Sequence, residues 1–284
     1  MSAEGKFKPK MLGIICNWCC YGGADLCGVS RFQYPTYIRL VRVMCSGRVD
    51  LKHILLAFSN GVDGMFVGGC HINDCHYNPE GNYDALSMVN LCKKLLEHVG
   101  INPKRLRLEW VSAGEGIRFA NIMNEFSKEI EELGPLGKSE GIDGTELKSR
   151  LEKITKLIPY IKLAKMKKLA LHDINQANEE GYANLYTGEE IDSLIREAPS
   201  YYIDPAKCQA CMTCARRCPV EAIISAKGQV HVIDQDKCIR CGTCFEACPP
   251  RFGAVTKIVG KPVPPPLPED QRAIVRKTRE KEVA

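Results

Sequence analysis

Cysteine is the residue whose number and spacing can do chemistry in this chain of 284 residues, which carries sixteen of them. Eight form two runs: Cys208, Cys211, Cys214 and Cys218 followed by Pro219, then Cys238, Cys241, Cys244 and Cys248 followed by Pro249. Three thiolates at this spacing can wrap one face of an iron–sulfur cube, while a fourth beyond the turn reaches toward a neighbouring cube. The expected pairing is therefore crossed. Cys208, Cys211, Cys214 and Cys248 should hold one [4Fe-4S] cluster, and Cys238, Cys241, Cys244 and Cys218 the other. A zinc ribbon also uses paired cysteines, but four ligands suffice for it, whereas each run here supplies three close cysteines plus a fourth.

The C-x2-C-x2-C-x3-C-P pattern is that of bacterial ferredoxins. It is an internal repeat, because Ile203-Asp204 before the first run returns as Ile233-Asp234 before the second. Each run is followed by a short apolar stretch, Ala222-Ile223-Ile224 and Ala254-Val255, suited to a small strand. So small a module has little apolar core, so metal–thiolate bonding must supply much of its stability.

The other eight cysteines all precede residue 93, and their meaning depends on the elements that carry them. Apolar runs at 11–16, Ile38 to Met44, Gly64 to Gly69 and Leu106 to Val111 have the length and continuity of buried parallel strands. Helical patterns lie between them, at about Leu51 to Asn60 and Tyr83 to Val99, and a further helix follows from Gly114 to Leu133. Alternation of strand and helix predicts an α/β fold with an open parallel sheet of flavodoxin-like type. Cys16, Cys19, Cys45, Cys70 and Cys75 then fall at carboxyl ends of strands, where sites gather in such sheets. If the first strand is central the five converge, and four of them would hold a third centre, a [2Fe-2S] cluster.

Gly22-Gly23, Ser46-Gly47 and Gly68-Gly69 lie beside these cysteines, where backbone amides could approach sulfur, and Arg48 is a further donor. His71 and His76 flank Cys75 and are expected to support the site rather than ligate. Cys92 sits on the apolar side of its helix and should be packing, whereas Cys20 and Cys27 remain open.

The formal charge of +5 taken alone would favour an anionic partner such as nucleic acid. Three clusters of two-minus charge would bring it to about −1, which removes that inference. No apolar run approaches the ~20 residues that cross a bilayer, and the run after Lys6, Lys8 and Lys10 is too short for a signal peptide. A soluble protein of a reducing cytoplasm is expected, since ligands must stay thiolates.

Four segments follow: an α/β domain at 10–133, a helical spacer at 134–198, an α+β ferredoxin-like two-cluster domain at 199–260, and a proline-rich, charged tail at 261–284. In the spacer, Leu147, Leu151, Ile154, Leu157, Ile158 and Ile161 make an apolar stripe that Pro159 should interrupt. The tail has too little apolar surface to fold alone and could strap a partner.

Cys16-Asn17-Trp18-Cys19, the stretch from Arg42 through Cys45-Ser46-Gly47-Arg48 to Asp50, Gly69-Cys70-His71, Asp74-Cys75-His76-Tyr77 and Leu108-Glu109-Trp110-Val111-Ser112-Ala113 carry a resemblance. They resemble the delta, or iron–sulfur, subunit of methyl-viologen-reducing (F420-non-reducing) hydrogenase over about residues 10–133, here fused to the two-cluster ferredoxin module. That resemblance implies one [2Fe-2S] cluster on Cys16, Cys19, Cys45, Cys70 and Cys75, without settling which four bind. It further implies an electron relay between a hydrogenase or formate dehydrogenase and the flavin-bearing HdrA-type chain of heterodisulfide reductase. The added module leaves the partner open, since related modules accompany heterodisulfide-reductase-like proteins in acetogens, sulfate reducers and benzoyl-coenzyme A reductase complexes. The expectation is a non-catalytic electron-transfer subunit. The alternative is a thiol–disulfide or substrate-reducing enzyme whose N-terminal cysteines the ferredoxin module serves.

Overall fold

The structure is a computed structural model that describes residues 7–77, 80–171, 181–182 and 184–274. The chain divides into two compact units, Met1–Ile158 with Ala164–Ser193, and Pro159–Leu163 with Leu194–Ala284.

In the first unit the apolar runs become the parallel strands β1 (Met11–Cys16), β2 (Ile38–Val43), β3 (Gly64–Gly69) and β4 (Leu106–Trp110), in the order β2-β1-β3-β4. β1 and β3 are central and almost wholly buried, which is why their sequences are apolar without alternation. β2 departs from that expectation. Among the described strands it pairs with β1 alone, and at this edge Arg39, Val41 and Arg42 are exposed. The register sets Ile15 beside Gly68 and Cys16 beside Val43, so the carboxyl ends of the strands are level.

The helices are α1 (Cys19–Val29), α2 (Leu51–Ser59), α3 (Glu80–Val99) and α4 (Gly116–Leu133). α1 packs against α4 and α2 against α3. Right-handed crossovers require this division when the chain first steps from β1 to β2 and then reverses to β3. α4 buries Phe119, Ile122, Met123, Phe126 and Ile130, spaced three and four apart, and each phenylalanine so placed contributes roughly 1.5–3 kcal/mol. α2 starts on a capping box, in which Asp50 accepts from the Lys52 N–H at 2.9 Å while the Asp50 N–H donates to His53 Nδ1.

After α4, Gly134 takes a positive φ of 73° and ends the helix. The loop that follows is fastened by Arg105, fully buried before β4, whose Nε donates to Glu140 at 2.6 Å and whose Nη1 donates to the Asp63 and Gly134 carbonyls. α5 (Gly144–Ala164) runs continuously through Pro159, contrary to the expected interruption. Leu151, Ile154, Ile158 and Ile161 are buried on either side of it, and that burial carries the helix across one missing hydrogen bond. Two short helices complete the described spacer, α6 (Met166–Leu169) and α7 (Gly188–Arg196). Spacer residues 172–180 and 183 lie outside the described residues. Among the described residues no helix is long and apolar enough to cross a membrane.

The second unit consists of two antiparallel pairs, β5 (Ser200–Ile203) with β8 (Val255–Ile258) and β6 (Ile223–Ile224) with β7 (Val232–Ile233). The short helices α8 (Thr213–Arg217) and α9 (Thr243–Ala247) pack on each other. This is a ferredoxin-like arrangement, and its core mixes Tyr201, Ile203, Val230, Ile233 and Val255 with the thiols of Cys208, Cys214 and Cys244. The tail does not hang free up to residue 274. Leu267 and Ile274 pack on that core, and the Ile274 N–H donates to the Gly228 carbonyl at 2.9 Å. Residues 275–284 lie outside the described residues.

Candidate metal centres

The five expected N-terminal cysteines come together at the carboxyl edge of the sheet. Cys16 ends β1 and Cys70 directly follows β3, so they flank the point where the chain's crossovers change faces, the place where open α/β sheets build sites. Their Sγ atoms are 3.6 Å apart. Cys19, at the start of α1, stands near both of them. Cys45 follows β2, and its sulfur stands with that of Cys75 beside Gly81. The thiols thus fall into a Cys16/Cys70 pair, a Cys45/Cys75 pair, and Cys19 beside the first.

Their ionisation is strongly divided. The bond from the Cys70 thiol, with further N–H donors from Cys20, Cys19 and Trp18, outweighs burial and lowers Cys16 to about 6. The same bond, given up by Cys70, pushes that thiol far up. Burial raises Cys19, and burial raises Cys45 to about 11. Cys19, Cys45 and Cys70 are thus costly to ionise unless a cation stands among them.

The surroundings differ from expectation in their glycines. Gly22 and Gly23 lie within α1 and face Ala113 and Ser112, where a Cβ would come within 2.8 Å, so they serve close helix packing and not the thiols. Gly81, in the first turn of α3, is the glycine at the site: a Cβ there would overlap Cys45 Sγ and stand 3.0 Å from Cys75 Sγ. Gly68 gives similar room to the thiol of Cys20, which is buried. Arg48 is exposed. His71 Nε2 pairs with Glu115 at 2.7 Å, and His76 stacks on the half-exposed Trp18 with ring centroids 3.9 Å apart. Cys27 bonds weakly to the Phe32 carbonyl, and Cys92 is wholly buried in α3.

In the second unit one cavity is lined by Cys218 together with Cys238, Cys241 and Cys244. One thiol of the first run therefore meets three of the second, the combination that crossed pairing requires. Cys208 and Cys211 lie close enough to Cys214 for their charges to add to burial in raising it to about 11. Burial and the charges of Cys238 and Cys241 raise Cys244 to about 12. Against burial, the Thr213 hydroxyl and N–H lower Cys211, helped by Arg251, three residues past Cys248. Further backbone N–H groups reach sulfur from Ala222 to Cys218 at 3.2 Å and from Arg240 to Cys238 at 3.4 Å. Both loops use left-handed residues at matching places, Ala210 and Met212 in one, Arg240 and Gly242 in the other. Non-glycine residues keep such angles only where the surroundings dictate them. Among the described residues no group of three His, Cys, Asp or Glu side chains stands as a single metal ion would require.

Sequence reasoning missed Gly81, the Trp18–His76 stack and His231, whose Nδ1 lies 3.4 Å from Cys214 Sγ. For His231 a signal was present, because the thirty-residue repeat sets it opposite Tyr201.

Comparison with known proteins agrees with the two units. The family model described as methyl-viologen-reducing hydrogenase, delta subunit, matches residues 11–134, and that of the 4Fe-4S dicluster domain matches residues 200–249. The D-type iron-sulfur subunit of the F420-non-reducing hydrogenase of Archaeoglobus profundus is 51% identical over 135 residues, 48% of this chain and 96% of that protein. Its counterpart from the vhu F420-non-reducing hydrogenase of Methanopyrus kandleri is 40% identical over 127 residues, 43% of this chain and 96% of that protein. The A-type subunit of the ferredoxin/F(420)H(2)-dependent CoB-CoM heterodisulfide reductase of Methanosarcina acetivorans is 49% identical over 129 residues, 45% of this chain but only 16% of that protein.

Proposed function

Because the chain belongs to the family of the methyl-viologen-reducing hydrogenase delta subunit, we propose that it is a non-catalytic electron-transfer subunit of a cytoplasmic redox complex. It would carry one [2Fe-2S] and two [4Fe-4S] clusters between an electron-donating or accepting redox enzyme, such as a hydrogenase or formate dehydrogenase, and a heterodisulfide-reductase-A-like flavoprotein. When bound, these clusters supply one-electron transfer without substrate chemistry.

The observation that carries this reading is the convergence of thiols from three strand ends in a chain that also holds the two ferredoxin runs. Cys16 and Cys70 would share one iron of the two-iron centre, and Cys45 and Cys75 the other. Two thiolates on one tetrahedral iron with arms of about 2.3 Å stand about 3.8 Å apart, close to the 3.6 Å between Cys16 and Cys70. Cys19 would remain a neighbour that donates to sulfur. In the second unit, Cys238, Cys241, Cys244 and Cys218 would hold one cube and Cys208, Cys211, Cys214 and Cys248 the other. The flavoprotein partner is supported by the Methanosarcina heterodisulfide reductase chain, which contains a stretch matching this domain within one polypeptide.

One observation favours the enzyme reading: the lowered Cys16 beside Cys70 has the character of a reactive dithiol. Against it, Cys16 is 1% and Cys70 2% exposed, so a substrate disulfide could not reach either sulfur. Iron and acid-labile sulfide measured on anaerobically purified protein separate the two. About ten irons per chain, with a two-iron spin-resonance signal beside the four-iron ones, is expected, whereas about eight would sink the relay in favour of the thiol enzyme.

A further inference from the structure

His231 is buried at 1% exposure, and its Nδ1 stands 3.4 Å from the sulfur of Cys214. Its other ring nitrogen, Nε2, is buried and has no hydrogen-bond partner among the described residues. A cysteine that ligates iron is a thiolate and has no proton to give. The contact is therefore a hydrogen bond only if Nδ1 carries the proton, which leaves Nε2 as a bare lone pair.

The internal repeat provides the comparison. Thirty residues earlier the equivalent position is Tyr201, set before Ile203-Asp204 as His231 is set before Ile233-Asp234. Tyr201 lines the cavity that holds Cys238, Cys241 and Cys244, but its hydroxyl lies against Gly242, where a Cβ would sit 2.9 Å away. Other side-chain contacts recur in both halves: Thr213 bonds with Cys211 as Thr243 does with Cys241, and an arginine charge acts on one thiol of each run, Arg251 on Cys211 and Arg240 on Cys238. At the position before Ile-Asp the two halves thus differ as imidazole against phenol.

We propose that His231 is a positioning residue that donates its Nδ1–H to the Cys214 sulfur and raises the reduction potential of the four-iron centre held by Cys214. The inference rests on the two-cluster reading given under Proposed function. A proton directed at sulfur stabilises the more electron-rich state of the cage more than the oxidised one. The change it biases is the gain of one electron from the redox partner, and no bond at His231 is made or broken. With Tyr201 in the matching place, the repeat thereby holds two electronically unequal centres.

The test is a spin-resonance redox titration of the full-length, cluster-loaded protein and its His231→Phe variant. One four-iron midpoint should move to lower potential, seen as a several-fold drop in its reduced-to-oxidised ratio at fixed poise, while the other midpoint and the iron content stay unchanged. Two unmoved midpoints with full iron content would overturn the proposal. If His231→Phe loses iron, wild-type protein with isotope-labelled histidine nitrogen decides: pulsed spin resonance should find a nitrogen coupling on one reduced four-iron signal, and its absence overturns the proposal. A wild-type protein without four-iron signals would instead bring down the cluster reading itself.

Discussion

The sulfurs of Cys16 and Cys70 stand 3.6 Å apart across the switch point of the sheet, one at the end of β1 and the other just past β3. Folding alone has brought together two thiols separated by 54 positions in sequence, close to the separation of two thiolates on one tetrahedral iron. Cys45 and Cys75 form the second pair.

Four single substitutions should therefore behave alike and a fifth differently. Cys16→Ala, Cys70→Ala, Cys45→Ala and Cys75→Ala are each expected to abolish the two-iron spin-resonance signal, while Cys19→Ala retains it with altered line shape. Loss in Cys19→Ala together with retention in any of the other four would show that the pairs have been assigned wrongly.

Gly81 offers a test that leaves every thiol in place. Alanine there would push a methyl group into Cys45 Sγ, and the backbone of α3 can yield little, being packed on both neighbours through buried Tyr83, Ala85 and Leu86. Gly81→Ala should lose the two-iron signal while keeping its helical circular dichroism and both four-iron signals. A full two-iron signal in this variant would mean that the thiols do not meet beside α3.

The strands and most helices of the first unit were legible in sequence, because a buried parallel sheet demands unbroken apolar runs and each run ends near a cysteine or a glycine. α1 was not. Its Gly22, Gly23 and Gly28 argue against a helix locally, and it exists because two of those glycines allow it to approach the Val111–Ala113 segment closely. Strand-end cysteines could be predicted to converge, but Gly81 could not be seen to meet Cys45, since that depends on how α3 enters the sheet. In the second unit the ligand spacing was plain, whereas the contact of His231 with Cys214 required β7 to be placed. Pro159 misled because its helix is held by packing on both sides and not by local propensity.

Arg105 and Glu140 bear the stability of the first unit away from any cluster. The guanidinium is 0% and the carboxylate 5% exposed, and Arg105 also satisfies the carbonyls of Asp63 and Gly134. Removing one partner of such a pair costs about 3–5 kcal/mol. Arg105→Met should lower the urea midpoint accordingly, followed by the fluorescence of Trp18 and Trp110, both in this unit. A change under about 1 kcal/mol would show that the clamp is redundant.

The same pair sets an acid limit. Burial would raise Glu140, but hydrogen bonding to Arg105 and its charge outweigh burial and lower the carboxyl below its ordinary value. A lowered carboxyl stabilises the fold above its unfolded value and loses that contribution as pH falls through its folded one. Stability of the first unit should thus decline below about pH 4.5, and Glu140→Gln should flatten that limb while lowering stability at neutral pH. An unchanged acid limb in the variant would assign the decline to other groups.

Iron removal should act unequally on the two units. The second has strands of only two to four residues and a core in which Cys208, Cys214 and Cys244 are themselves members, so its thiolates have no apolar substitute when metal leaves. The first has a larger core from β1 through α4, in which Cys16, Cys70 and Cys75 are joined by Met11, Ile15, Phe66, Phe119, Met123 and Phe126, so most of its apolar burial does not depend on the thiolates. Anaerobic chelation is expected to open residues 200–258 to proteolysis and rapid amide exchange, while the amides of β1 and β3 stay protected. Protection that survived in the second unit without iron would show that its strands and packed tail hold it without metal.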